Sequence, residues 1–171
     1  MPLEKEAKRT NLFNSVTMLS HKTKYAFKAL FVMSEEYGQG PLLISEIAER
    51  GNIPKRFLEL ILLELKNHGI LRSKKGKGGG YILSRPADEI SVGHVIRMLE
   101  GPLAPLPCAS KTAYERCEDC SDERTCGVRL LMKRVRDQTA AILDSASLAD
   151  MLRLSRNARA SKSPRATMLT H

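Results

Sequence analysis

The stretch ISEIAERGNIPKRFLELILLELKNHGILRSKKGKGGGYILS, residues 44–84, decides the fold. Ser45 is placed to cap a short helix through Arg50, whose Ile47 and Ala48 point inward, and Gly51 suits the left-handed position after its end. Pro54 then sits where a first helical position tolerates a missing N–H. From there Leu58, Ile61, Leu62 and Leu65 form one apolar stripe that ends at Gly69, while Lys55, Arg56 and Glu59 fall off the stripe toward solvent. Two short β-type runs, 70–73 and 81–84, flank a tip rich in glycine and lysine, and so predict a hairpin. Helix, turn, helix and hairpin in this order are the core of a winged helix-turn-helix.

The flanking sequence completes that architecture. Upstream, Ala26, Leu30, Met33 and Tyr37, with Phe27 and Phe31 beside them, predict a helix over 22–37, stopped by Gly38, Gly40 and Pro41. Downstream, Val92, Val95, Ile96 and Leu99 predict a helix over 91–99. Gly101, Pro102, Pro105 and Pro107 then open a loop of about two dozen residues, a length that usually signals function. It carries Cys108, Cys117, Cys120 and Cys126. From Gly127, the positions Val128, Leu131, Met132, Val135, Thr139 and Ile142 recur at helical intervals, with Lys133, Arg134, Arg136 and Asp137 on the other side. Ser147 and Asp150 resemble a capping box for a last short helix through Leu154. The expected organisation is a disordered arm at 1–17, the winged helix-turn-helix at 18–85 and a linker helix with a cysteine-bearing sensor loop at 86–126. A dimerization helix and short terminal helix at 127–154 and a disordered basic tail at 155–171 follow. The fold class is mainly α with a small β-hairpin wing.

The chain has 171 residues, 42% apolar and 27% charged, enough to fill one core and too little for a large multidomain enzyme. Its formal charge is +9, and the excess is uneven: residues 18–85 carry +6, whereas the cysteine-bearing 86–126 carry −4. A basic front section points to a polyanionic partner, and double-stranded DNA is the expected one. The helix after the turn would enter the major groove with Lys55, Arg56 and Glu59. Glu59 can accept from a cytosine amino group, or simply pair with Lys55 at i, i+4. At the hairpin tip, Lys74, Lys75 and Lys77 supply phosphate-directed charge, and the glycines let the backbone come close to the duplex. The glycine cluster has no Walker spacing and no helix after it, which excludes a nucleotide loop. The longest charge-free apolar run near the start, Ala29 to Met33, is far too short to span a membrane, and a cytoplasmic protein is expected. There are no paired carboxylates, no Cys–His partnership and no cofactor cradle, so neither an enzyme nor a small-molecule substrate is expected. His21, His68, His94 and His171 lie too far apart to form a site.

On the residues alone the cysteines admit three uses. Thiolates bind iron readily, and a loop can wrap an iron-sulfur cluster. A thiol-disulfide switch needs no metal, and Lys111, Arg116 and Arg124 could lower a thiol's pKa. Structural zinc prefers two close pairs, and only Cys117 and Cys120 form one.

The run MLSHKTKYAFKAL at the first helix, residues 44–71, SKKGKGGGYILSRP at the wing and ISVGHVIRMLEGPLAPLPC before the cysteines together resemble the IscR-type (Rrf) family of bacterial winged-helix transcription regulators. The likeness extends from Met18 to about Leu152. It implies a homodimer whose long helix packs against its twin, with both winged heads on a roughly palindromic operator and repression as the expected outcome. It also implies an iron-sulfur cluster, [2Fe-2S] or [4Fe-4S], whose loss, oxidation or nitrosylation changes operator affinity. Cys108, Cys120 and Cys126 match the family's ligands, and Cys117 is a departure, so the implied set is these three or all four. Arg129 stands where some members place a histidine ligand. Lys24 stands where others draw an acidic ligand from the partner's first helix.

Overall fold

A computed structural model describes residues 19–162; the expected arm at 1–17 and the end of the expected tail lie outside the described residues. The helices are α1 (His21–Glu35), α2 (Ile44–Gly51), α3 (Lys55–Asn67), α4 (Val92–Glu100), α5 (Gly127–Ser145) and α6 (Leu148–Lys162). Between α3 and α4 lies an antiparallel hairpin, β1 (Leu71–Lys74) and β2 (Gly80–Leu83), in the register Leu71↔Leu83 to Lys74↔Gly80. Short 3-10 turns occupy Ala87–Glu89 and Pro107–Ala109. The mainly α winged helix-turn-helix expected from the sequence is present.

One core joins the elements of the head. Leu30 of α1, Ile47 of α2, Leu58, Ile61, Leu62 and Leu65 of α3, Ile70 before the wing, Leu71 at the start of β1 and Val95 of α4 are all buried. Each such side chain contributes about 1.5–3 kcal/mol through removal of its apolar surface from water. Ser20 starts α1 by accepting from the Thr23 amide, and its own amide donates to Glu100 Oε1 at 2.7 Å, which ties the start of α1 to the end of α4. The wing is anchored on the head by Leu42, whose amide and carbonyl both pair with Tyr81 at 2.9 Å. Gly80 makes this possible. A Cβ there would lie 2.3 Å from the Leu42 carbonyl oxygen, and φ is +150°.

Several local expectations are corrected. Ser45 does not cap α2; Leu43 takes that position, and the Glu46 carboxylate satisfies the Leu43 amide at 2.7 Å. Gly51 closes the helix, and Asn52 adopts the left-handed conformation (φ 47°), which asparagine tolerates better than most residues. Pro54 is the residue before α3 rather than its first. The Ser147–Asp150 capping box forms, with hydrogen bonds in both directions. The helix it starts does not stop at Leu154 but continues to Lys162, so 155–162 are not part of a disordered tail. Arginine and alanine favour helix here, and no glycine or proline intervenes before Pro164.

The α5–α6 corner is clipped to the head through Val92 N to Ala146 O (2.9 Å) and Leu148 N to Ile90 O (2.8 Å), with Leu148 fully buried. The rest of α5 stands away from the core, and Arg136 is its one buried residue. No described helix is long and apolar enough to cross a membrane.

Candidate nucleic-acid interface and cysteine loop

The buried stripe of α3 leaves the opposite face outward, and Lys55, Arg56 and Glu59 are all exposed there. The Arg56 guanidinium lies 4.7 Å from the centre of the Phe57 ring, and that ring stacks on Tyr25 of α1 at 6.3 Å. A guanidinium on an aromatic face loses little freedom when it meets a base edge, so the Tyr25–Phe57 stack preorganises Arg56. Glu59 forms no ion pair with Lys55 among the described residues, which leaves the carboxylate available to an outside donor.

On the wing, Lys74, Lys75 and Lys77 are exposed. Three acidic groups of the head are engaged elsewhere, Glu64 with Lys22 at 3.2 Å and Glu35 and Glu36 with Arg50 at 3.5 and 2.9 Å, and no ion pair among the described residues involves Lys55, Arg56 or the wing lysines. Lys55, Arg56, Lys74, Lys75 and Lys77 therefore carry uncompensated charge. Such groups release counterions when they meet phosphates.

The cysteine loop is organised by side chains that the sequence did not single out for this role. Arg129 Nε donates to the Cys108 carbonyl at 2.8 Å, and Arg136 Nη1 donates to the next carbonyl, that of Ala109. Arg136 was expected on the solvent side of α5. It is buried instead, because the loop folds back over the helix and offers it that carbonyl. The spacing of seven between Arg129 and Arg136, which puts both on one helix face, is the signal that could have found them. Glu123 accepts from the Tyr114 hydroxyl at 2.5 Å and from the Cys117 amide at 3.1 Å, and the Tyr114 hydrogen bond holds its carboxyl below the usual carboxylate range.

The four thiols are not equivalent. Cys108 is buried in the 3-10 turn, whereas Cys117, Cys120 and Cys126 are half-buried. Cys120 and Cys126 stand with sulfurs 3.7 Å apart, and no comparable contact brings Cys108 to them among the described residues. Cys126 precedes α5, where the backbone amide of Arg129 and then the Cys120 thiol lower its pKa. Cys120 is pushed up to about 12 by the thiols of Cys117 and Cys126. Two of the cations expected to tune the thiols are occupied, Lys111 with Asp137 at 2.9 Å and Arg124 with Asp122 at 3.3 Å. Among the described residues, no three His, Cys, Asp or Glu side chains stand together as a metal-holding group.

Comparison with known proteins agrees with this geometry. Residues 19–154 match the Rrf2 family, described as an iron-dependent transcriptional regulator. An rrf2-like HTH-type transcriptional regulator of Rhodobacter capsulatus is 42% identical over 138 residues, covering 79% of this chain and 92% of that one. The regulator CymR of Bacillus subtilis is 32% identical; its structure, described as that of a global cysteine regulator, superposes with a TM-score of 0.63 over 78% of this chain and 94% of that one. The structure of IscR from T. potens, 28% identical, has a TM-score of 0.63 over 89% of this chain and 96% of that one. The chain belongs to the Rrf2 family of transcriptional regulators, DNA-binding proteins with no enzymatic role.

Proposed function

We propose that the chain represses transcription in the cytoplasm by binding a roughly palindromic operator as a homodimer, and that its cysteine loop reports iron-sulfur cluster status, redox state or nitric oxide to the DNA-binding head. The observation that carries this reading is the uncompensated charge of Lys55, Arg56, Lys74, Lys75 and Lys77 on the two elements that a winged helix presents to a duplex. Glu59 beside them would act on sequence choice. The outward face of α5 supports the dimer: Val128, Leu131 and Ile142 are 65%, 55% and 67% exposed, an apolar row that a twin helix would cover. A two-fold dimer would present its two heads to a palindromic site.

The donor set suits an iron-sulfur cluster in kind. Cys120 and Cys126 are adjacent soft ligands, and Cys108 and Cys117 are the further thiols of the expected set. It does not suit one in arrangement, because no metal-holding group is assembled among the described residues, with Cys108 buried in its turn. The DNA-binding account therefore runs through no cluster step. The 3.7 Å approach of Cys120 and Cys126 favours a second reading of the loop, a cluster-free thiol-disulfide regulator of the same fold.

Protein purified without oxygen tests both readings. Visible absorbance with matching iron and sulfide counts supports the cluster. A colourless protein whose free thiols fall by two on oxidation supports the second reading. Sedimentation of the same sample at twice the chain mass is the expected result for the dimer, and a monomer contradicts it.

A further inference from the structure

The outward face of α3 is not only charged. Leu60 is 69% exposed, Leu63 and Phe57 are each 44% exposed, and all three share a 13-residue helix with Arg56 and Glu59. A single exposed leucine needs no explanation on a protein surface. Three large apolar side chains on one short helix are a patch, and two of them, Phe57 and Leu60, also line a groove of about 490 Å³ with His21, Lys22, Tyr25 and Ile61. At 100° per residue, Leu60 stands one turn beyond Arg56 on the same side of the helix, opposite the buried Leu58, Ile61, Leu62 and Leu65.

The charge around Leu60 selects its partner. An apolar protein surface laid on this face would cover Lys55 and Arg56 without offering them a counter-charge, at a large desolvation cost. A DNA major groove supplies phosphates to the cations, acceptors to Arg56 and, at thymine alone among the four bases, a methyl group for an apolar side chain. We propose that Leu60 is a specificity-determining residue that reads a thymine C5-methyl group in the major groove, beside the base edge met by Arg56. The inference rests on the DNA-binding reading and adds to it a base preference carried by a side chain that makes no hydrogen bond.

The test begins with the full-length protein selecting its own site from a random-sequence duplex library. Each thymine of the selected site is then replaced singly by deoxyuridine, which removes the methyl and leaves every hydrogen-bonding group in place. Burial of one methyl-sized group predicts about a fourfold loss of affinity at one thymine in each half-site. Leu60→Ala should bind the unmodified site about fourfold more weakly per half-site and should no longer distinguish thymine from deoxyuridine there. Leu60 is exposed, so the melting temperature of the variant should match the parent, and Leu60→Met should restore the discrimination. A parent protein indifferent to deoxyuridine at every position overturns the inference alone, as does a Leu60→Ala variant with the parent's penalties. A Leu60→Ala variant with unchanged DNA binding and an altered sedimentation coefficient overturns it too, assigning the face to contact between copies. Failure to select any duplex overturns the DNA-binding reading together with it.

Discussion

Arg136 is the residue whose loss should reveal how the cysteine loop is coupled to the long helix. It is buried in α5, donates to the Ala109 carbonyl and keeps Asp137 beside it through a 2.8 Å contact. Arg136→Met retains most of the side-chain volume and removes the donor. A hydrogen bond from a charged group contributes about 1.5–3 kcal/mol, and the orphaned Ala109 carbonyl would remain in a turn whose Ala109 is almost fully buried. Asp137 adds little to the loss, because it is half exposed and retains Lys111 at 2.9 Å. A net cost of about 2 kcal/mol corresponds to a fall of roughly 4–8 °C in melting temperature for a chain of this size, at fixed protein concentration. The same substitution should loosen the 3-10 turn, so Cys108 should become alkylated in native protein at a rate approaching that of the half-buried thiols. A melting temperature within 1 °C of the parent, with Cys108 still protected, would refute the claim that α5 holds the loop through this arginine.

Other perturbations follow from the same geometry. Phe57→Leu keeps an apolar side chain but removes the ring under Arg56, and should weaken binding to the selected site about two- to fivefold; unchanged affinity in fluorescence anisotropy would show that the stack does not prepare Arg56. Gly80→Ala forces a Cβ against the Leu42 carbonyl and should cost about 1–3 kcal/mol, read as a lower melting temperature with weaker DNA binding; a neutral variant would mean that the wing is not pinned there. The Arg97 hydrogen bonds hold the Asp144 carboxyl below the usual carboxylate range, so the stabilisation is present above about pH 3.9, the unfolded value, and lost as pH falls through the lower folded value. Acid unfolding of Asp144→Asn should therefore depend less steeply on pH in that window than the parent's; parallel curves would count against the pairing.

Much of the head was legible because its signals are local. The stripe Leu58, Ile61, Leu62 and Leu65 fixes the buried face of α3, and the basic tip between two β-type runs fixes the wing. The errors lay at helix ends, where partners a few residues away decide. Glu46 reaches back to the Leu43 amide and overrides Ser45 as a cap, and α6 runs on through Ala158 and Ala160 because nothing in that segment stops a helix. The cysteine loop was legible as a cluster of thiols and illegible as a structure. Its order depends on contacts such as Arg136 to Ala109 and Tyr114 to Glu123, which exist only once the chain has turned back on α5. For the same reason Arg136 looked solvent-facing in the helical pattern, and Lys111 looked like a neighbour of thiols when Asp137 holds it.

The central claim is that uncompensated cations on α3 and the wing grip the phosphates of a duplex. Its most direct measurement is the affinity of the full-length protein for double-stranded DNA from 50 to 200 mM salt, with the slope of log affinity against log salt as the readout. Five cations per head predict a slope of about −4 to −5 for each head engaged, and Lys75→Ala should flatten it by about 1 per protomer at every DNA sequence. An affinity that does not change with salt, or a slope that Lys75→Ala leaves untouched, would contradict the account.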